Sequence, residues 1–222
     1  MKALKLRTIS TAALCLVLSA CGGKENRPAS TAVYMLLDTS GTYTRELNKA
    51  QKIINYLLMS LDSGDSIAVA RIDSGSFSEK DIIVGTTFDN RPSTTNEQKR
   101  AFKRKIDQFI DSNKKGSAHT DISGGMLQAT EFLNETGAAH KYIFVFSDLE
   151  EDLVRGHVRD FTIPLNGVAV VALNVTKLRS DNVNPQEYLD RLKQWQAKVI
   201  QGGGQWKLVN DLERLDRLLG KG

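Results

Sequence analysis

The stretch AVYMLLDTSGT, residues 32–42, decides the fold of this chain. Its first six residues are apolar and uncharged, a composition typical of a strand that is buried on both faces of a parallel sheet. Carboxylate and hydroxyl side chains follow at once, so they stand at the carboxyl end of that strand. Ligands of open α/β sheets bind outside the carboxyl ends of the strands. The stretch therefore predicts a buried strand that leads into a binding site.

Two more stretches carry the same kinds of side chain. Ser147 and Asp148 follow a second apolar run at residues 142–146, and Thr120-Asp121 stands before a helical pattern. Hydroxyl and carboxylate oxygens form a donor set that suits a hard divalent cation such as Mg²⁺. Taken singly, each stretch is also compatible with a helix cap or a turn. Together they favour a metal site, because unrelated caps need not converge on one side of a sheet.

Strand patterns and helical patterns alternate along the rest of the chain. Strands are predicted at residues 32–37, 66–72, 81–87, 140–146, 167–173 and 204–209, and helices at residues 45–61, 94–111, 121–135, 184–200 and 211–219. The third strand is expected at the sheet edge, and the second helix is expected to open with Ser93 or Thr94 as its cap. This alternation indicates an α/β fold, with a doubly wound, mostly parallel central sheet flanked by helices on both faces.

The N-terminus has the features of an export signal. Lys2, Lys5 and Arg7 precede an apolar stretch at residues 9–18, which is too short to span a bilayer comfortably. The tetrapeptide LSAC at residues 18–21 resembles the bacterial lipobox, in which cleavage precedes a Cys that is then lipidated. The alternative is a plain export signal in which the Cys is incidental.

This interpretation divides the chain into three parts. We expect a signal peptide at residues 1–20, a lipidated Cys21 with a flexible polar tether at residues 21–30, and one domain at residues 31–222. Lipid on Cys21 predicts an anchor in the bacterial cell envelope. Gly22 stands where an Asp often retains lipoproteins at the inner membrane, so by resemblance the outer membrane is favoured.

The charge balance argues against a nucleic-acid partner. The whole chain has 30 Lys and Arg and 26 Asp and Glu, for a net charge of +4. Three of the basic residues lie in the signal, which leaves 27 basic against 26 acidic residues. Such a near-neutral domain gives no support for nucleic-acid binding. Cys15 and Cys21 are the two cysteines, so the mature domain has no disulfide and depends on its core.

The three oxygen-rich stretches resemble the metal-ion-dependent adhesion site of the von Willebrand factor A domain. The family pattern is Asp-x-Ser-x-Ser after the first strand, a Thr in a later loop, and an Asp after the strand that follows. Asp38, Ser40 and Thr42, then Thr120, then Asp148 match that pattern in order. The likeness extends over nearly the whole mature domain.

The resemblance implies a Rossmann-like fold, a bound Mg²⁺ or Mn²⁺ and a protein partner. The residues implied at the metal site are Asp38, Ser40, Thr42, Thr120 and Asp148, with Asp121, Ser147 and Glu150 around them. The three hydroxyls would be ligands, while the carboxylates would balance charge directly or through water. Neutral hydroxyl ligands leave the cation with a strong attraction for an Asp or Glu that a partner presents.

Two departures from the family pattern and two charged runs bear on this interpretation. Thr42 replaces the usual Ser and keeps the hydroxyl, whereas Leu149 stands where a Gly is common and is expected to affect the local backbone and access to the metal. The acidic run 150–152 is interpreted as a solvated loop, with an acidic rim as the alternative. The basic run 99–105, with Phe102 inward, is interpreted as a solvated helix face, with a lipid-headgroup or nucleic-acid patch as the alternative.

Enzyme signatures are missing from the sequence. It contains no Gly-x-Ser-x-Gly elbow and no Walker-type glycine loop, and no His is tied to Ser40 as a base. We therefore favour a non-enzymatic, metal-dependent binding domain. The alternatives are a metal-independent scaffold in an envelope assembly and, less favoured, a metal-dependent hydrolase that uses Asp38 and Asp148.

Overall fold

The structure is a computed structural model, and it describes most of the chain after the expected tether. The described residues are 29–41, 43, 46–75, 78–112, 116–178 and 180–210. The expected signal peptide, Cys21, Thr42 and the helix predicted at residues 211–219 lie outside them. Among the described residues, no helix is both long enough and apolar enough to cross a membrane.

The described residues form one six-stranded sheet and four α-helices. The strands are β1 (Thr31–Asp38), β2 (Ser66–Ile72), β3 (Ile82–Thr87), β4 (His140–Phe146), β5 (Ala169–Leu173) and β6 (Gln205–Val209). The helices are α1 (Leu47–Ser60), α2 (Pro92–Ser112), α3 (Ile122–Glu135) and α4 (Pro185–Gln201), with short 3₁₀ turns at Glu79–Asp81 and Ser180–Asn182. The order of strands is β3-β2-β1-β4-β5-β6. All neighbours are parallel except the edge strand β3, which pairs antiparallel with β2. The predicted α/β class and the edge position of the third strand are confirmed.

Strand β1 is the centre of two hydrophobic layers. All eight of its residues are buried. Val33, Met35 and Leu37 pack into the cluster beneath α1 and α2. Tyr34 and Leu36 pack into the opposite cluster, beneath α3 and α4. Because successive side chains of a strand point to opposite faces, a continuous apolar run is what a strand covered on both faces requires.

Helix α2 begins earlier than the sequence predicts. Its first residue is Pro92, so Ser93 and Thr94 lie inside the first turn and the predicted cap was wrong. Proline suits the first helical position, because its fixed φ is helical and its missing N–H would have no partner there. The hydroxyl of Thr95 donates to the carbonyl of Asp89, which ties the first turn to the loop before it.

The strand order creates a crevice between β1 and β4. The chain passes from β1 to β2 on one side, and β4 is added later on the other side. Such a reversal of direction is where open α/β sheets bind their ligands. The register pairs Leu37 with Phe146, so the next residues, Asp38 and Ser147, emerge side by side at the carboxyl edge.

Candidate functional site

Three loops meet at the carboxyl edge of the sheet, over the crevice between β1 and β4. We call them the first loop (residues 38–41 with Tyr43), the second loop (116–121) and the third loop (147–152). Each carries one of the oxygen-rich stretches that the sequence analysis singled out. Hydrogen bonds join every pair of these loops, so the three stretches converge as predicted.

The first and third loops are joined through a buried carboxylate. The Ser147 hydroxyl donates to Asp38 Oδ2 at 2.7 Å, and the Ser40 N–H donates to Asp38 Oδ1 at 2.8 Å. The Leu149 N–H in turn donates to the Ser147 hydroxyl oxygen at 3.0 Å. Asp38 thereby fixes the backbone of its own loop and the start of the third loop.

The second loop lies directly against the first. The Ser117 N–H donates to the carbonyl of Thr39 at 2.7 Å, and the Ser117 hydroxyl donates to Asp73 Oδ1 at 2.6 Å. A Cβ at Gly116 would lie 2.6 Å from the backbone nitrogen of Gly41. Only glycine fits this approach, so residue 116 is part of what brings the two loops together. Asp73 and Gly116 were not foreseen, because neither belongs to a recognisable motif.

A short antiparallel bridge joins the second and third loops. The Thr120 N–H donates to the carbonyl of Asp152 at 2.7 Å, and the Asp152 N–H donates to the carbonyl of Thr120 at 3.0 Å. Nδ1 of His119 lies 3.0 Å from Asp152 Oδ2. The acidic run is therefore held in place, while Glu150 and Asp152 stay exposed, as the interpretation as a solvated loop predicts.

Glu151 is the most firmly held member of that run. Its carboxylate accepts the N–H of Ser123 at 2.6 Å and the hydroxyl of Ser123 at 3.1 Å. Nζ of Lys198 lies 3.4 Å from the same carboxylate. Glu151 therefore satisfies the amino end of α3, where unpaired backbone N–H groups favour an anion.

Two carboxylates at this edge are almost fully buried. Asp38 is 1% exposed and Asp148 is 4% exposed, and among the described residues neither forms an ion pair. Burial, with a smaller contribution from the charge of Asp38, raises the pKa of Asp148 from 3.8 to about 6. A hydrogen bond from the N–H of Glu150 at 3.0 Å and the nearby charge of Arg191 oppose that rise. Buried charges in proteins are normally paired or bound to metal, so these two carboxylates depart from the usual pattern.

The hydroxyl of Thr120 is a buried polar group that has no hydrogen-bond partner among the described residues. Thr120 is 4% exposed, and its side chain forms no hydrogen bond with any residue that the structure describes. Buried hydroxyls are usually satisfied, and an exception calls for an explanation such as a bound ion. A hydroxyl and two carboxylates at one edge are oxygen donors of the kind that Mg²⁺ and Mn²⁺ take.

Asp121 has a different role from the others. Its carboxylate accepts the Gly124 N–H at 2.9 Å and so caps α3. Arg159 donates to both of its oxygens, at 3.0 Å to Oδ1 and 2.5 Å to Oδ2. The charge of Asp121 is thus neutralised within the protein, and this residue anchors the second loop.

One face of helix α4 holds the third loop. Three side chains on that face, at positions 191, 195 and 198, contact the loop. Nε of Arg191 donates to the carbonyl of Asp148 at 3.0 Å. Nε1 of Trp195 donates to the carbonyl of Leu149 at 2.9 Å. Lys198 contacts the carboxylate of Glu151. The sequence analysis missed this role, for which the only sequence signal is an arginine within the buried stripe of the helix.

Arg191 is itself held by an ion pair. Its Nη2 lies 2.8 Å from Asp181 Oδ2, and Arg191 keeps the pKa of Asp181 below its usual value. Nη1 of Arg191 also lies 3.3 Å from Glu150 Oε2. Glu150 therefore lies at the carboxyl edge of the sheet, beside Arg191.

Leu149 adopts the backbone conformation that glycine favours. Its φ is +65°, in the left-handed region, and its side chain is 1% exposed in the core beneath α3 and α4. The turn after Asp148 therefore keeps a left-handed residue although the glycine of the family pattern is absent. Packing of the leucine side chain and the bond from Trp195 hold it there.

The structure brings the first, second and third loops together with Asp38, Ser40, Thr120, Ser147 and Asp148 among them. Thr42, the remaining predicted ligand, lies outside the described residues. Within the described residues, no group of three or more His, Cys, Asp or Glu side chains could hold a metal ion. The metal site therefore stays a prediction of the sequence pattern.

Known structures share this architecture. No protein-family model matches the sequence, and no curated protein is significantly similar to it. A von Willebrand factor type A structure from Catenulispora acidiphila superposes with a TM-score of 0.55 at 11% identity, over 85% of this chain and 41% of the other. The human COPII-coat protein Sec24c gives a TM-score of 0.51 at 11% identity, over 85% of this chain and 30% of the other. BatB from Bacteroides thetaiotaomicron gives a TM-score of 0.47 at 13% identity, over 86% and 95% of the two chains.

The chain thus has the fold of a von Willebrand factor A domain. It spans less than half the length of the Catenulispora and Sec24c chains. At these identities the likeness concerns the fold alone.

Proposed function

We propose that this protein is a lipid-anchored von Willebrand A-type domain of a bacterial envelope, which binds Mg²⁺ or Mn²⁺ and captures a protein partner through that partner's Asp or Glu. The observation that carries the proposal is the pair of buried carboxylates Asp38 and Asp148, which form no ion pair with a described residue. The hydroxyl of Thr120, which forms no hydrogen bond within the described part of the chain, supports it. Leaving two such charges unpaired inside a stable fold is costly, and a divalent cation removes that cost.

Some of these residues would contact the cation, and others orient those that do. Ser40, Thr42 and Thr120 supply hydroxyl oxygens, and Asp38 and Asp148 supply negative charge. Ser147 orients Asp38 through the 2.7 Å hydrogen bond, while Arg191 orients the backbone that carries Asp148. Side chains that orient ligands in this way tune a metal site nearly as strongly as the ligands do.

The bound cation would supply an open coordination position with a strong attraction for a carboxylate. The third loop also carries the negative charges of Glu150, Glu151 and Asp152, of which Arg191 and Lys198 offset part. A partner would therefore need a well-placed Asp or Glu rather than a diffuse acidic surface, because the rim repels acidic surfaces.

Calorimetric titration with Mg²⁺ tests the metal site. The whole chain should give a saturable heat, whereas Asp38→Ala and Asp148→Ala should give none while circular dichroism shows that the fold remains. Asp160→Ala is the matched control, because Asp160 is an exposed carboxylate in the loop before β5. Unchanged heats in the Asp38 and Asp148 variants would refute the metal site.

A metal-independent scaffold is the second candidate function. The observation that favours it is Leu149, which is buried against α4 where the family pattern has glycine. Partner capture from envelope extracts, with and without EDTA, separates the two functions. If the partner is captured both in EDTA and by the Asp148→Ala variant, the scaffold is supported. If the partner is captured under neither condition, the metal-dependent function is supported.

Lipid on Cys21 is the proposed anchor, with the outer membrane favoured over the inner membrane. The mass of the N-terminal peptide from membrane-extracted protein should show a diacylglyceryl group on Cys21. Cys21→Ser should move the protein out of the membrane fraction. An unmodified Cys21 in membrane-extracted protein would contradict the anchor and leave the metal site untouched. We propose no enzymatic activity, and turnover of generic phosphate or ester substrates would overturn that assignment.

A further inference from the structure

A groove of about 580 Å³ runs between α1 and α2. Its lining includes Leu58 and Met59 from α1 and Lys99, Arg100 and Lys103 from α2. Lys103 follows Arg100 by three residues and Lys99 by four, so the three side chains form one stripe along the helix. This stripe is part of the basic run that the proposed function leaves without a role.

The groove combines positive charge with exposed apolar surface. Its lining contains three basic side chains and no carboxylate. Met59 is 75% exposed, which is unusual for so large an apolar side chain at the end of a helix. Lys103 is paired with Asp107 at 2.7 Å, whereas Arg100 has no carboxylate partner among the described residues. Long apolar side chains flanked by Lys and Arg are typical of surfaces that contact anionic lipid.

The groove lies at the amino edge of the sheet, opposite the candidate metal site. Helix α1 returns from the carboxyl end of β1 to the amino end of the parallel strand β2, so Met59 and Leu61 lie at the amino edge. Nζ of Lys99 donates to the carbonyl of Leu61. The turn that follows is bonded to the start of β1, because the N–H of Thr31 donates to Asp65 Oδ1 at 2.8 Å.

The chain leaves this same edge toward the proposed anchor. Thr31 is ten residues from Cys21, a length of chain that reaches at most about 35 Å when extended. Lipid on Cys21 would therefore keep the amino edge, and the groove beside it, close to the bilayer surface. Charge complementarity then selects the anionic headgroups as the occupant of the groove.

We propose that the groove between α1 and α2 docks on an anionic phospholipid surface, with Met59 among the headgroups and Arg100 and its basic neighbours against the phosphates. This inference rests on the proposed anchoring through Cys21. Docking holds the amino edge against the membrane, so the edge with Asp38 and Asp148 faces away from it. The domain thus presents its metal site to partners in the space beyond the bilayer.

A polarity-sensitive dye at position 59 tests the docking. The whole chain carrying Met59→Cys is purified from membranes, labelled on the thiol and placed in vesicles of phosphatidylethanolamine with or without phosphatidylglycerol. The unsubstituted chain, labelled in parallel, gives the background from Cys15 and Cys21. A blue shift with phosphatidylglycerol that disappears at high salt is expected, because salt screens the headgroup charge.

Two matched controls sharpen this experiment. Val183→Cys places the dye at a residue 89% exposed near the opposite edge, and it should not respond to phosphatidylglycerol. Arg100→Glu in the Met59→Cys chain should weaken the response at least about fivefold. Arg155→Glu makes the same change of charge at an exposed residue near the third loop, and it should leave the response intact.

The outcomes separate the docking from the proposed function. An equal response in neutral and anionic vesicles, or an equal response at Val183, would overturn the docking. A response that grows with protein concentration in vesicle-free detergent would assign the groove to a second copy and also overturn it. The mass of the N-terminal peptide and the Mg²⁺ titration on the same preparation report separately on the anchor and the metal site.

Discussion

The hydroxyl of Ser147 donates to Asp38 Oδ2 at 2.7 Å, across 109 positions of sequence and between two fully buried side chains. This bond fixes the distance between the carboxyl ends of β1 and β4. The same hydroxyl oxygen accepts the N–H of Leu149 at 3.0 Å. One serine thus aligns the first and third loops of the proposed metal site.

Ser147→Ala is expected to weaken both stability and metal binding. It leaves a carboxylate oxygen of Asp38 and the N–H of Leu149 without a partner, which costs roughly 1–3 kcal/mol of unfolding free energy. Loss of a residue that orients a ligand lowers metal affinity about 10–100-fold. Urea unfolding and Mg²⁺ titration measure the two effects. Ser112→Ala, which removes only an exposed bond to the carbonyl of Phe109, should change neither.

Asp148→Asn is expected to stabilise the metal-free protein. The folded pKa of Asp148 is raised from 3.8 to about 6, so its contribution to stability is present below pH 3.8 and lost as the pH rises through about 6. Above pH 6 the buried carboxylate therefore destabilises the fold, by about 3 kcal/mol. Asn carries no charge, so the variant should gain that amount in chelator at neutral pH.

Mg²⁺ should make the unsubstituted protein more stable than Asp148→Asn. The melting temperature of the unsubstituted protein should rise with Mg²⁺, because the ligand binds only the folded state, whereas that of Asp148→Asn should not. Asp160→Asn, at an exposed position, serves as the control in both experiments. A variant equal to the unsubstituted protein at every pH, with and without Mg²⁺, would refute the unpaired state of this carboxylate.

Leu149 offers a test of backbone strain. Leu149→Ala loses the buried side chain, at a cost of roughly 2–5 kcal/mol, and keeps the left-handed backbone. Leu149→Gly loses the same side chain and removes the strain, so it should be more stable than the Ala variant by about 1 kcal/mol. At Leu57, a buried residue within α1, the opposite order is expected, because Gly is worse than Ala in a helix by about 1 kcal/mol. The same order at both positions would contradict the strained turn.

Gly116 and Gly41 form a matched pair for the contact between the first and second loops. A Cβ at Gly116 would lie 2.6 Å from the nitrogen and 2.7 Å from the Cα of Gly41, whereas a Cβ at Gly41 meets nothing within 4 Å. Gly116→Ala should push the loops apart and lower Mg²⁺ affinity about tenfold or more, while Gly41→Ala should bind normally. Equal affinities in the two variants would show that the close approach does not matter for binding.

The sequence predicted the elements of this fold because their signals are local. The apolar run 32–37 corresponds to β1, the helical spacing from Leu47 to Leu58 corresponds to α1, and both are present where expected. The spacing of apolar residues in a segment shows whether it is a helix or a strand. This signal can be read from the segment alone, without knowing which element packs against it. The order of the oxygen-rich stretches is equally local, and their meeting at one edge follows from parallel strands.

Distant contacts could not be predicted in this way. No pattern links Asp121 to Arg159, 38 residues away, yet that ion pair changes Asp121 from a candidate at the metal site into an anchor of the second loop. The hold of α4 on the third loop, through Arg191 and Trp195, is likewise a product of packing. So is the left-handed conformation of Leu149, which propensity alone disfavours.

The sequence by itself determined the fold class, the order of the motifs and the kind of atom that a cation would meet here. Only the tertiary structure decided which carboxylates form an ion pair: Asp121 pairs with Arg159, whereas Asp38 and Asp148 are buried and form no ion pair with a described residue. The physical reason is that the sequence fixes which charged groups are present. Their burial and the distances between them fix the free energy of each charged group in the folded protein.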